Sequence, residues 1–166
     1  WAFEANPQVA DILKRNILIN GLIDRTDVTV APVYSSVQDM TFTLFEKHMG
    51  SSSLGEVSEA YANTYFDSLR EITLRSVTLD NVIPAGTRVD LIRVDAEGAE
   101  PHVLMGAERL LAENSHAELI LEVMHEEPQA PREPGNRGLW KLIADSGRKV
   151  FTLSKLGGVA EVRSLE

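Results

Sequence analysis

One short stretch constrains this chain more than any other, because an apolar run in it stops abruptly at acids. Residues 90–100 read DLIRVDAEGAE, and the run is followed by Asp95, Glu97 and Glu100, placed around Gly98. A short apolar run bounded by turn residues is typical of a strand inside a sheet. In open α/β sheets, ligands bind at the carboxyl ends of the parallel strands. The stretch therefore predicts a functional site with Asp95 at its centre.

The composition narrows the class of protein. At 166 residues, with 43% hydrophobic and 25% charged residues, the chain has the size and composition of one globular domain. The net charge of -9 argues against a nucleic-acid partner, which would need clustered Lys and Arg. No apolar run approaches the roughly 18 residues that span a membrane. We therefore expect one soluble domain over residues 1–166, without a membrane partner. We also predict a cytoplasmic location. The absence of cysteine excludes disulfides and thiolate chemistry.

Strand and helix patterns alternate along most of the chain. Asn6 can cap a helix, Pro7 suits its first position, and Gly21 suits its end. The alternation predicts an α/β fold with a mostly parallel sheet, to which a C-terminal antiparallel hairpin adds mixed character. The predicted strands cover residues 1–4, 28–33, 77–79, 89–95, 119–123, 150–153 and 159–162, and the predicted helices cover 7–20, 101–111 and 139–146.

Residues 35–75 do not follow this alternation. Residues 40–45 resemble a strand, residues 50–55 form a Ser/Gly-rich loop, and residues 61–69 carry scattered aromatics without a clean period. Functional loops that cover sites are often of this length. The segment is therefore either an insertion that covers one end of the sheet or an extra hairpin without a functional role.

The acids allow several roles. Glu4 ends the first strand, and its two oxygens could accept hydrogen bonds from a ribose diol, or it could simply favour the positive end of the next helix dipole. Asp95, Glu97 and Glu100 could bind a divalent cation, supply a general base with orienting groups, or stabilise the start of the following helix. We favour the helix-start role for Glu100 and a functional role for Asp95, and we predict no metal.

Glu122 and His125 follow the next predicted strand, so a parallel sheet would place them beside Asp95. A histidine near carboxylates can act as a base close to neutral pH, because negative charge raises its pKa. The alternative is a surface histidine in an acidic loop. The chain has no G-x-S-x-G elbow, no P-loop and no G-x-G-x-x-G fingerprint.

Several segments together resemble FkbM-type methyltransferases. The segments are AFEANPQVADILKRNILINGL, TLDNVI, DLIRVDAEGAEPHVLMGAERLL, LILEVMHEE and GRKVFTLSKLGG, which cover most of the chain outside residues 40–75. The resemblance implies a Rossmann-like class I fold that uses S-adenosylmethionine. It also implies transfer of a methyl group to a hydroxyl of a small-molecule acceptor, such as a sugar or a polyketide-like product.

The resemblance also implies roles for site residues. Glu4, in the same segment as Asn6, matches the acid that holds the cofactor ribose. Asp95 matches the acid beside the transferred methyl group, and it shares the role of candidate base with His125. Glu97 and Glu122 match motif positions to which we assign no individual role. We therefore predict Asp95, Glu97, Glu122 and His125 as catalytic residues and Glu4, Asn6 and Asp95 as cofactor-binding residues.

The family's first strand and its glycine-rich cofactor loop have no counterpart in this sequence, and we expect them upstream of Trp1. That strand lies in such folds between the strand ending at Glu4 and the strand ending at Asp95. We therefore expect either a gap between these two strands or their direct closure, and poor cofactor binding by residues 1–166 alone. A substitute central strand from the same chain would contradict the resemblance. The alternatives are a non-catalytic methyltransferase-like binding domain and a nicotinamide-dependent oxidoreductase.

Overall fold

The computed structural model describes residues 1–49, 52–54, 68–122, 135–153 and 158–162, and these residues form a mixed arrangement of short helices and strands. The helices are α1 (Pro7–Ile19), α2 (Leu79–Val82), α3 (Glu100–Met105), α4 (Glu108–Glu113) and α5 (Gly135–Asp145), with a 3-10 turn at Ile23–Arg25. The strands are β1 (Ala2–Phe3), β2 (Val28–Thr29), β3 (Asp39–Phe45), β4 (Ser53–Leu54), β5 (Leu69–Arg75), β6 (Leu91–Val94), β7 (Glu118–Leu121), β8 (Val150–Leu153) and β9 (Val159–Val162).

The described strands form four separate sheets. Two are parallel pairs, β1–β2 and β6–β7, and the other two are the antiparallel sheet β4–β3–β5 and the antiparallel hairpin β8–β9. The predicted mixture of parallel strands with a C-terminal hairpin is therefore present. The expectation that the hairpin extends the parallel sheet is wrong for the described residues, because β8 and β9 pair only with each other.

Helix α1 forms where its capping residues predict it. The Asn6 side chain accepts a hydrogen bond from the Gln8 backbone N–H at 3.0 Å, and Pro7 is the first helical residue. The helix ends at Asn20, and Gly21 then adopts the left-handed conformation with φ of 65°. These local signals account for both ends of the helix.

Residues 77–79 are not the strand that the sequence predicts. Val77 makes only an isolated bridge with Val33, and α2 begins immediately afterwards. The Thr78 hydroxyl accepts the Asn81 backbone N–H at 3.1 Å and so caps this single helical turn. Threonine at a cap therefore outweighs the preference of β-branched residues for strands.

The single helix predicted over residues 101–111 is instead two helices, α3 and α4, separated at Gly106. A Cβ atom at Gly106 would lie 2.2 Å from the Tyr34 carbonyl oxygen, so the two chain segments meet where only glycine fits. The Asp80 carboxylate then supplies the cap of α4, accepting the backbone N–H groups of Arg109 at 2.8 Å and Leu110 at 2.9 Å.

The core lies between the parallel pairs and the helices that follow them. The Val94 end of β6 packs with the helices α2, α3 and α4, whose buried residues in this cluster are Leu79, Val103 and Leu110. A second cluster joins β3 and β4 of the antiparallel sheet to Ala99, just before α3. The end of β6 and the turn after it therefore pack against both the helices and the antiparallel sheet.

No hydrogen-bonded ladder joins β1 to β6 among the described residues, because each belongs to a different two-stranded sheet. A cavity of about 510 Å³ lies between the two pairs and is lined by residues of both, including Phe3 and Ile92. It reaches Leu110, which is fully buried from solvent. No described strand of the chain is hydrogen-bonded to both β1 and β6.

Candidate active site

Two acids meet at the ends of β6 and β7. Asp95 directly follows β6, and Glu122 directly follows β7. Val94 is paired with Leu121, and the Glu122 backbone N–H donates to the Val94 carbonyl at 3.1 Å. This pairing extends the parallel register to the strand ends, so Asp95 and Glu122 are neighbours, as the sequence predicts.

Glu97 joins these two acids because the chain turns sharply after β6. It has a positive φ of 48°, and Gly98 follows with φ of 90°. One carboxylate oxygen from each of Asp95, Glu97 and Glu122 lies within 4.8 Å of the other two. A positive φ is uncommon outside glycine and is often found at functional sites. The three residues form what we call the acidic cluster.

Glu100 holds this turn in place and is not part of the acidic cluster. It is the first residue of α3 and is only 3% exposed. Its carboxylate accepts the backbone N–H of Ala96 at 2.8 Å and that of Gly98 at 3.4 Å. Glu100 thus lies at the predicted helix start, and its carboxylate satisfies N–H groups of the turn that precedes the helix.

The pKa values of Glu97 and Glu122, two of the three acids in the acidic cluster, are raised. Burial raises the pKa of Glu97, and the charges of Asp95 and Glu100 raise it further. A hydrogen bond to Asp95 is the main cause that raises the pKa of Glu122 to about 7, with burial and the neighbouring carboxylates adding to it. Arg93 forms an ion pair with Asp95 at 2.6 Å, with the Asp95 side chain 39% exposed. The pKa of Glu122 therefore suits proton exchange close to neutral pH.

The spacing of the acidic cluster is short enough for a divalent cation, which prefers several oxygen ligands. Exposed acids also gather without a metal, and Asp95 and Glu122 are both exposed. Nothing else in the described part of the chain points to a cation, so we assign none.

Glu4 and Asn6 form a second acidic position, at the end of β1. The Glu4 carboxylate accepts the Asn6 backbone N–H at 2.7 Å. The Asn6 side chain is 1% exposed, caps α1 through its oxygen and donates to the Ser52 hydroxyl at 3.3 Å. Asn6 thus positions Glu4, while the half-buried Glu4 itself lines the cavity.

The cavity brings the two strand ends together. Glu4 reaches it from one parallel pair, and Asp95 and Glu97 reach it from the other. Glu122 stands beside Asp95, and His125 lies outside the described residues. The site can therefore accept hydrogen bonds from a bound ligand at Glu4 and take up a proton at the acidic cluster.

Sequence reasoning missed several residues of this site. Arg93 pairs with Asp95, and a charged residue inside an apolar strand was the available signal. Ser52 bonds Asn6, and Phe42, Met49 and Leu54 line the cavity from the antiparallel sheet and its connection. No local signal marks these four residues, because their roles come from long-range packing.

Acids at the ends of parallel strands, beside one cavity, are the arrangement that ligand-binding α/β domains commonly use. The methyltransferase FkbM domain model matches residues 1–149, and the chain belongs to that family. The resemblance in the sequence is thereby confirmed at the level of the family. No described helix is long and apolar enough to cross a membrane.

The chain is also similar to another methyltransferase. The methyltransferase sdnD of Sordaria araneosa is 28% identical over an alignment of 150 residues that covers 75% of this chain and 55% of the relative. The chain thus spans about half the length of this curated relative. No solved structure matches the chain.

Proposed function

We propose that this chain is the catalytic part of an S-adenosylmethionine-dependent O-methyltransferase that acts on a hydroxyl of a small molecule, such as a sugar or a polyketide-like product. Membership of a methyltransferase family supports the reaction class. The observation that carries the proposal is that Glu4 and Asp95 come from different parallel pairs and line the same cavity. If one acid binds the cofactor ribose and the other lies beside the reacting methyl group, both acids must line the same cavity.

The proposal includes a Rossmann-like class I sheet over residues 1–166. The place of the central strand in this sheet lies between β1 and β6. The cavity between these strands supports an additional strand there, since its lining includes buried apolar residues such as Val94 and Leu110. Protein interiors are close-packed, and a space of this size beside buried apolar residues is unusual. We propose that a strand outside residues 1–166 fills it and brings the glycine-rich cofactor loop to Glu4.

Glu4 fits the ribose of the cofactor on chemical grounds. A carboxylate offers two acceptor oxygens, which suit two adjacent hydroxyl groups. One Glu4 oxygen accepts the Asn6 backbone N–H, and this hydrogen bond fixes the carboxylate next to the N-terminus of α1. Asn6 is therefore a positioning residue in this proposal, because its buried side chain is bonded to Gln8 and Ser52.

When bound, S-adenosylmethionine supplies a methyl group on a positively charged sulfur. The chain's own residues hold the acceptor hydroxyl in line with that methyl group and remove its proton. Asp95 is the proposed base, and one carboxylate oxygen of each of Glu97 and Glu122 lies within 4.8 Å of it. His125 remains a predicted second base.

Methyl transfer by the full-length protein tests these roles. Asp95→Asn keeps the side-chain shape but removes the base, and we expect turnover to fall about 100-fold or more. Asp90→Asn is the matched control, since Asp90 lies exposed just before β6 and bonds to Arg88. Equal turnover in the Asp95→Asn variant and the wild type would contradict the role of Asp95.

The same proposal covers partners and location. The acceptor is a small molecule, and neither nucleic acid nor membrane takes part, in agreement with the net charge of -9. A cytoplasmic location goes with this proposal.

A further inference from the structure

We propose that Arg93 is a positioning residue that keeps the negative charge of the Asp95–Glu122 pair on Asp95. Asp95 is then the carboxylate that takes the proton of the acceptor hydroxyl, and Glu122 is a carboxylic acid that keeps its own proton. The inference rests on the proposed function, in which Asp95 is the base, and it gives Arg93 and Glu122 separate roles.

Strand β6 places Arg93 beside Asp95. Side chains two residues apart on a strand point to the same face of the sheet. On β6, Leu91 and Arg93 are exposed, whereas Ile92 is half-buried and Val94 is buried. The Arg93 guanidinium donates to the Asp95 carboxylate across 2.6 Å. A cation at this distance favours the ionised form of the carboxylate that it contacts.

Glu122 contacts the same carboxylate from the neighbouring strand. Its backbone N–H donates to the Val94 carbonyl, and its side chain is hydrogen-bonded to Asp95. Carboxylates only accept hydrogen bonds when ionised, so a bond between two carboxyl groups requires a proton on one of them. The shared proton therefore has two possible positions, and only one of its two holders, Asp95, contacts Arg93.

The surrounding charges make these two positions unequal. The other charged groups around the pair, in the part of the chain that the structure describes, are the acids Glu4, Glu97 and Glu100. No ion pair between described residues joins a cation to Glu122. The acids disfavour a negative charge on both members of the pair, whereas Arg93 favours it on Asp95. This asymmetry leaves the proton on Glu122 and agrees with its raised pKa of about 7.

The ion pair is strong enough for this role although it is exposed. The side chains of Arg93 and Asp95 are 66% and 39% exposed. An exposed ion pair can favour one proton position about fivefold, which corresponds to about 1 kcal/mol. An aspartate is also about two- to threefold more acidic than a glutamate. The two effects together favour the proton on Glu122 about tenfold.

Carbon-13 NMR of the side-chain carboxyl groups tests the inference in the full-length protein without requiring turnover. The signals of the pair are assigned by their loss in Asp95→Asn and Glu122→Gln. Across the step near pH 7, in which the pair loses its shared proton, each signal moves in proportion to the share of that proton that its carboxyl group held. We expect the Asp95 share to be about one tenth in the wild type and about one third in Arg93→Gln.

Two further variants separate charge from packing. Arg93→Lys keeps the cation and should return the Asp95 share to about one tenth. Arg88→Gln is the matched control, because Arg88 forms the same kind of ion pair with Asp90, at 2.8 Å, before the start of β6. It should leave the Asp95 share unchanged. The same share in Arg93→Gln as in the wild type, or a wild-type proton held mainly by Asp95, would overturn the inference.

S-adenosylmethionine is titrated into the same samples, so that this inference and the proposed function can fail separately. Cofactor binding together with an unchanged Asp95 share in Arg93→Gln overturns the role of Arg93 alone. The expected change of the Asp95 share without cofactor binding overturns the proposed function and leaves Arg93 as the residue that places the charge.

Discussion

The carboxyl groups of Asp95 and Glu122 meet across the ends of two adjacent parallel strands, within 4.8 Å of each other. The Glu122 backbone is bonded to Val94, the residue before Asp95, so the two side chains are held together by the sheet itself. Two like charges at this separation resist simultaneous ionisation. A pair of this kind takes up a proton more readily than a single carboxylate, which suits removal of a proton from a hydroxyl.

The free energy of unfolding should depend on pH through Glu122. Its pKa is about 7 in the folded chain against an ordinary value of 4.5, so the folded chain holds more protons between these values. Stability from this group is therefore present below about pH 4.5 and is lost as the pH rises to about 7. Over this pH window, we expect the free energy of unfolding measured by denaturant titration to fall less for Glu122→Gln than for the wild type. Glu118→Gln, on the exposed face of β7, is the control, and identical declines in wild type and Glu122→Gln would contradict the pairing.

Asp80 should contribute measurably to stability because it caps a helix that has no cap of its own. Ala107, at the cap position of α4, makes no side-chain hydrogen bond, and Asp80 accepts the N–H groups of Arg109 and Leu110 instead. We expect Asp80→Ala to lower the free energy of unfolding by about 2 kcal/mol. The exposed Asp24 provides the control, since Asp24→Ala removes an aspartate without such contacts. Equal effects of the two variants would refute the capping role.

Gly106→Ala separates backbone entropy from steric fit. Gly106 has φ of -81°, which alanine also adopts, so the lower entropy of the unfolded chain alone predicts a gain in stability of about 0.4–1 kcal/mol. The added Cβ would lie 2.2 Å from the Tyr34 carbonyl oxygen, and we expect a net loss of about 2 kcal/mol. Gly147→Ala, where φ is 68° but the space is open, should cost about 1 kcal/mol. Thermal unfolding measures the order of stability of the wild type and the two variants. A Gly106→Ala variant more stable than the wild type would disprove the close approach of residue 106 to the Tyr34 carbonyl.

Glu100→Ala should weaken the turn that presents the acidic cluster. The buried carboxylate accepts the N–H groups of Ala96 and Gly98, and its removal leaves both donors without this partner. We expect a loss of about 2 kcal/mol in the free energy of unfolding. Glu108→Ala removes the equivalent first-turn acid of α4, which is exposed, and should change stability by less than about 0.5 kcal/mol. Similar losses for both variants would show that Glu100 acts only as a general helix-start charge.

Local signals in the sequence were sufficient for some parts of the structure. Asn6, Pro7 and Gly21 predict both ends of α1, because a helix end is decided by neighbouring residues. The meeting of Asp95 with Glu122 was predictable because consecutive parallel strands place their carboxyl ends side by side.

Other parts depend on contacts between distant segments and could not be read locally. The break at Gly106 is set by the carbonyl of Tyr34, far away in the sequence. Strand β3, which contributes Phe42 to the cavity lining, pairs with β5. Paired residues such as Phe42 and Ile72 have no local sequence signal that identifies their partner. A strand pattern identifies such a segment without identifying its partner.

Calorimetric titration of S-adenosylmethionine into the full-length protein tests the central claim most directly. The account predicts one site per chain, and binding weakened about tenfold or more in Glu4→Gln, because the amide has lost the charge that accepts the ribose hydroxyls. Glu108→Gln, an acid remote from the cavity lining, should bind as the wild type does. Absence of heat from S-adenosylmethionine, or equal affinity of the Glu4→Gln variant and the wild type, would contradict a cofactor site at the ends of β1 and β6.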